Sequence, residues 1–197
     1  MAEDILAPLN LNLTPEPQHI EAGKGFLKAE TGLAIELPAG ADEADRFAAE
    51  YLAECLSRDL GIAARLGDAT GGALPVHLGR ADGLKPQGYR MTLAADGVRI
   101  QGADAAGVYY ATQTLRQCFF RHGEGLWAPA CAIADSPDLT YRATHYDTKH
   151  HQDTLEYVDD FIRELAAHKI NMLIWEWEDK FAYTSHPMIG APGAFTA

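Results

Sequence analysis

Between residues 18 and 37 apolar side chains come in short runs broken by Gly and Pro, at 18–27 and 33–37, which predicts strands joined by turns. The period then changes. From 42 to 60, Phe47, Tyr51, Leu52, Cys55, Leu56 and Leu60 recur at three-to-four spacing opposite Glu43, Arg46, Glu50, Glu54 and Arg58, and Gly61 follows. That is an amphipathic helix with one buried face and a natural stop. "ALPVHLGR" (73–80) is a candidate strand. "GYRMTLAADGVRIQG" (88–102) alternates through Tyr89, Met91 and Leu93, turns at Asp96-Gly97 and returns through Val98 and Ile100, the pattern of a hairpin. In "ADAAGVYYATQTLRQCFF", Val108, Ala111, Thr112, Leu115 and Phe119 share a helical face behind an N-cap at Asp104. Gly107 in the first turn implies a close backbone approach, since glycine in a helix otherwise costs about 1 kcal/mol. Strands followed by helices, repeated once, predict a compact α/β layer of ~130 residues.

The pattern breaks at "AIADSPDLTYR", where Asp135, Ser136, Pro137 and Asp138 are turn formers, and a domain boundary is expected at 135/136. Beyond it a strand (140–147), a polar loop (148–152), a helix and a second strand (170–177) follow. Asp153 and Glu156 have capping-box spacing, and Leu155, Val158, Ile162, Leu165 and Ala166 form the helix's apolar stripe. Strand, helix, strand with short connections is a βαβ unit, so the two strands are expected to be parallel neighbours with a right-handed crossover.

Composition adds exclusions. The chain has 197 residues, 47% hydrophobic and 22% charged, which is globular. Acids outnumber bases 28 to 16, for a net charge of -12, and no basic stripe is present, which argues against nucleic acid and anionic membrane as partners. No apolar run approaches the ~18 residues of a membrane span. "MAEDILAPLNLNL" begins with acids where an export signal carries positive charge, so a cytoplasmic location is the default expectation. Cys55, Cys118 and Cys131 lack metal or redox spacing and read as small buried apolar residues.

Chemistry concentrates at two strand ends. In βαβ architectures ligands gather at the carboxyl ends of the strands. Here one strand ends in "THYDTKHH", with His145, Asp147, Lys149, His150 and His151, and the other in "WEWEDK", with Trp175, Glu176, Trp177, Glu178, Asp179 and Lys180. Parallel neighbours lie about 4.8 Å apart, so both ends face one rim. Strand alternation would put Glu176 and Glu178 on one face and Trp175 and Trp177 on the other. An extended i, i+2 pair of carboxylates is roughly 6.6 Å apart, within the range of glycosidase acid/base pairs, and an indole packs well on a sugar's C–H face. Each group also has an ordinary role, as a solvated loop or a core aromatic. No HExxH, HxH, GxSxG, Walker loop or GxGxxG is present, so neither metal nor cofactor is expected.

These motifs resemble family 20 glycoside hydrolases, the β-N-acetylhexosaminidases. "GYRMTLAADGVRIQGADAAGVYYATQTLRQ" resembles the end of the small α/β domain preceding that family's barrel, with Gln113, Thr114, Leu115 and Gln117 in the order of its Q-T-L-x-Q pattern. "DSPDLTYRATHYDTKHHQDTLEYVDDFIRELAAHKINMLIWEWED" resembles its D-x-P-x-F-x-x-R-G-x-x-L-D-x-x-R-H first strand, first barrel helix and K-x-N-x-x-x-W second strand, and "FAYTSHP" the loop after it. Arg142-Ala143 stands where members read R-G, and Ile174-Trp175-Glu176 where they read H-W-H, marking a divergent branch.

The resemblance implies an α/β fold: a small zincin-like α/β sandwich domain at 1–135, then the first two strands of a truncated (β/α)8 barrel at 136–197. It implies hydrolysis of terminal β-linked N-acetylhexosamine from glycans by a retaining, substrate-assisted route, in which the 2-acetamido oxygen attacks the anomeric carbon. Arg142 falls on an arginine that binds sugar hydroxyls, Asp147 and His151 on the Asp and His after the first strand, and Asp179 on a rim aspartate. Trp175, Glu176 and Glu178 complete the expected substrate-binding set. The family's catalytic Asp-Glu pair follows the fourth barrel strand, and a barrel needs about 250 residues. The expectation is therefore an inactive N-terminal fragment. Two alternatives stand beside it: another glycosidase with a similar small domain, family 84-like or 67-like, and a non-catalytic carbohydrate-binding or interaction module.

Overall fold

The computed structural model describes residues 11–196. The acidic N-terminal segment considered above for export, residues 1–10, lies outside them. Contacts divide the chain into two compact units, Met1–Asp138 and Leu139–Ala197. Each is described by itself.

The first unit is a mixed sheet carrying two helices. Its strands are β1 (His19–Ala29), β2 (Leu33–Glu36), β3 (Ala64–Leu66), β4 (Leu74–Arg80), β5 (Tyr89–Ala94), β6 (Gly97–Gly102), β7 (Phe120–His122) and β8 (Gly125–Asp135), with α1 (Glu43–Leu60) and α2 (Ala105–Cys118) between them. The order is β1-β8-β5-β6-β4-β2-β3, with β7 added onto β8. Pairing is antiparallel from β1 to β6 and parallel from β6 to β3.

At β5 and β6 the sequence period says which sheet face is sealed. Tyr89, Met91 and Leu93 of β5 and Val98 and Ile100 of β6 are buried, whereas Arg90, Thr92 and Arg99 between them are exposed. α1 and α2 pack side by side over this sheet, and Leu52, Leu56, Val108 and Leu115 are completely buried in the core. Both helices start where their caps dictate: Asp42 accepts from Asp45 N and Asp104 from Gly107 N, and Gly61 ends α1 in the left-handed conformation. The close approach expected at Gly107 is real, since a Cβ there would run into the Gly88 carbonyl.

Two expectations are corrected here, and one strand is added. Phe47 does not join the buried face of α1; it is 57% exposed and stacks on Tyr51 and Tyr109, and Ala48, Ala49 and Ala53 line the interface instead. The hairpin turn is Ala95-Asp96, because Ala94 pairs with Gly97, and among turn residues only Gly97 has positive φ. β8, eleven residues long and paired along both edges, with β1 on one side and β5 and β7 on the other, carries no strand signal in the sequence reading.

The second unit is β9 (Ala143–Asp147), α3 (Leu155–Ala167) and β10 (Met172–Glu176), with the two strands parallel as expected. Thr154, not Asp153, caps α3, its side chain accepting from Tyr157 N. Of the helix's apolar stripe only Val158 is buried, while Leu155 and Ile162 are exposed. Among the described residues, no helix is long and apolar enough to cross a membrane.

Candidate functional site

The register of the second unit sets its chemistry. Tyr146 lies opposite Trp175 and Asp147 opposite Glu176, so both strands end level, at their carboxyl ends. Thr148, fully buried, fixes the exit from β9: its N–H and hydroxyl donate to the Glu176 carbonyl at 3.3 and 2.8 Å. The next residue, Lys149, becomes the hub of an ionic network. Its Nζ lies 3.2 Å from Glu176, 3.4 Å from Glu178 and 3.8 Å from Asp147, and its backbone N–H donates to Asp147 Oδ1 at 2.7 Å. His145 Nε2 adds a contact of 2.9 Å to Glu176 Oε2.

The charges respond accordingly. The Lys149 backbone N–H holds the Asp147 carboxyl below its ordinary range, helped by the charges of Lys149, His145 and His150. Glu176, through its hydrogen bond, and then the charges of Asp147, Glu176 and Glu178 raise the Lys149 ammonium above the usual lysine value. The rim is thus a set of carboxylates around one cation.

Of the predicted site residues, the structure brings Asp147, Glu176 and Glu178 together. His151 stands apart, exposed, with its Nε2 3.3 Å from Asp153. Asp153 also accepts from the Tyr146 hydroxyl, whose pKa is pushed up to about 12 by burial and by that bond. Asp179 pairs with Lys180 at 3.0 Å, and its carbonyl accepts from Ala191 N. Arg142 precedes β9, at the end opposite Asp147 and roughly 16 Å from it at strand rise. Its guanidinium donates to the carbonyls of Leu139 and Lys169, both at 2.7 Å, so it braces the start of the strand.

Strand alternation fails past Glu176. Trp177 is in the right-handed helical region and Glu178 has φ 44, opening a short 3-10 turn (Glu178–Lys180). Glu176 and Glu178 are therefore not an extended i, i+2 pair, and Glu178 is turned back toward Lys149. For the same reason Trp175 and Trp177 stack face to face, centroids 4.0 Å apart, with Tyr146 and Phe195 edge-on to Trp175. One face of Trp175 is covered by that stack, and the side chain as a whole is half-buried. Its Nε1 is buried with no hydrogen-bond partner among the described residues. Lys149 was visible in the sequence as part of a polar loop, but its hub position depends on register and on the turn at Glu178, which no local pattern announces. No group of three or more potential metal ligands occurs among the described residues.

The first unit supplies a contrasting polar cluster. Buried Tyr89 shares its hydroxyl with Thr114 at 2.7 Å and Asp135 at 3.2 Å, and Gln18 binds Ser136 O at 2.7 Å and Asp138 at 3.0 Å. These bonds tie β1, β5, α2 and the end of β8 together, a structural role.

Known proteins give the arrangement its context. The chain is 29% identical over 173 residues to N,N'-diacetylchitobiase of Vibrio harveyi, covering 84% of this chain and 18% of that protein. It is 27% identical over 169 residues to a beta-hexosaminidase of Vibrio furnissii, covering 86% and 26%. It thus spans about a fifth to a quarter of the length of these relatives. Among solved structures, the exo beta-N-acetylglucosaminidase of Vibrio harveyi superposes with a TM-score of 0.79 at 22% identity, over 90% of this chain and 28% of that one. The N-acetyl-beta-hexosaminidase of Streptomyces plicatus does so with a TM-score of 0.77 at 25% identity, over 92% and 38%. The shared fold is the mixed α/β layer described above. The family model "Glycosyl hydrolase family 20, domain 2" matches residues 10–136, nearly all of the first unit and more than half of the chain, and the protein belongs to glycosyl hydrolase family 20.

Proposed function

We propose that the protein serves the hydrolysis of terminal β-linked N-acetylhexosamine from glycans, by a retaining mechanism in which the substrate's own acetamido oxygen is the nucleophile. The first unit is then a zincin-like support domain without zinc, and β9-α3-β10 opens a (β/α)8 catalytic barrel. The observation that carries this is the level, parallel ending of β9 and β10, which gathers Asp147, Glu176 and Glu178 at the strand ends where barrels bind ligands. Relatives named as hexosaminidases and a chitobiase, with alignments longer than the first unit alone, support extending the reading into the second. The exposed apolar residues of α3, Leu155 and Ile162, suit a helix of an outer barrel ring, which buries that face against neighbours.

In this reading the rim carboxylates bind and orient the sugar, while Arg142 acts at a distance by holding the start of β9. The assignment of acid/base catalysis to an Asp-Glu pair rests on the family, and no residue of this chain takes that role. The experiment is an assay of the full-length protein on a chromogenic β-N-acetylglucosaminide and on the matching β-glucoside, which lacks the acetamido group. Turnover of the first with no turnover of the second is expected. Equal turnover of both removes the substrate-assisted route, and turnover of neither removes the activity.

A further inference from the structure

Lys149 was not among the residues expected to touch substrate, yet it is where the rim's geometry converges. Three carboxylates within 4 Å of one another's shared cation would repel if it were removed, since like charges at such distances oppose ionisation. The lysine is itself anchored at both ends. Its backbone N–H is held by Asp147, and the preceding Thr148 is buried and bound twice to the Glu176 carbonyl. Glu178 reaches the ammonium from a backbone with φ 44, the left-handed region that non-glycine residues rarely adopt.

We propose that Lys149 is the positioning residue of this rim, gathering Asp147, Glu176 and Glu178 into a single substrate-facing surface. The proposal rests on the reading that the rim meets substrate. A lone exposed ion pair has little worth, but here one cation with a fixed stem is shared by three carboxylates on two strands and a turn. Arginine, longer and always charged, keeps the positive centre, whereas methionine keeps the apolar stem and deletes it.

The test uses the full-length protein with K149M and K149R. For K149M, KM for the chromogenic β-N-acetylglucosaminide is expected to rise about tenfold with kcat within about twofold, the signature of lost binding without lost chemistry, and K149R is expected to recover most of it. An unchanged KM in K149M, or equal damage in K149R, overturns the proposal. A second measurement does not need activity: reductive methylation with carbon-13 followed by NMR titration, with the Lys149 signal identified by its absence in K149R. That signal is expected to titrate above the usual lysine range and to fall toward it in E176Q, and no response to E176Q overturns the proposal. If the full-length protein hydrolyses no N-acetylhexosaminide, the assigned reaction falls, and the lysine titration alone decides the role of Lys149.

Discussion

The two helical layers in this chain look alike in sequence and behave differently in structure. α2 and α3 each have a cap, an apolar stripe and fourteen and thirteen residues. α2 buries Val108, Tyr110, Ala111, Leu115 and Cys118 against the sheet, while α3 buries only Val158. Amphipathic periodicity states that a helix has a face to cover; it does not state what covers it. In the first unit the sheet and α1 do so within the chain, and the core closes. In the second, two strands offer too little surface.

The comparison is broken most directly by truncating matched leucines. Leu115→Ala on α2 is expected to cost about 2–5 kcal/mol, the range for a filled core site, and Leu155→Ala on α3 about 0.5 kcal/mol or less. Urea unfolding of this chain followed by amide hydrogen exchange separates the units, and comparable losses at both positions would erase the distinction. Next in size is Tyr89→Phe, which strips a hydroxyl from Thr114 and Asp135 and is expected to destabilise the first unit by about 1–3 kcal/mol. Asp104→Ala removes the cap of α2 and a bond to Gln87 N, for about 1 kcal/mol, read as the same midpoint shift in urea.

The smallest effect concerns the rim. Asp147 titrates below its ordinary value in the folded chain, so it binds its proton more weakly there than when unfolded. Its contribution to stability is present above the unfolded carboxylate range, near pH 4, and is lost as pH falls through the lowered folded value. Because the backbone N–H of Lys149 is the largest cause, K149M is expected to leave most of that lowering in place. Carboxyl carbon-13 titration checks it, and an Asp147 that titrates at or above the ordinary value contradicts the geometry.

What was legible in the sequence divides along the same line. The α1 and α2 helices, the β5-β6 hairpin, the Asp104 cap and the Gly107 approach all follow from local patterns that the packing reinforces. β8 was not legible. "GLWAPACAIAD" is alanine-rich, lacks clean alternation and holds a proline, all of which weigh against a central strand. The structure accommodates Pro129 where the ladder on one side is already interrupted: β7 reaches Trp127 and β5 begins at Cys131, so Pro129 falls between them, and on the other side it pairs with Phe26 at the margin of the bulge of β1. In the second unit, the parallel strands and the residue types at their ends were readable. Their grouping was not, because Glu178 leaves the strand with positive φ, and that turn decides which carboxylates meet Lys149 and why Trp175 and Trp177 stack.

The glycine at 107 carries a consequence for how far this layer can vary. With no atom between the first turn of α2 and the Gly88 carbonyl, helix and sheet are spaced by backbone alone at that point. Side chains elsewhere in the interface can trade volume with their neighbours, but here there is nothing to trade. The contact works as a fixed gauge, setting the depth at which α2 lies on the strands, and any substitution that thickens it must lift one end of the helix and tilt the whole layer with it.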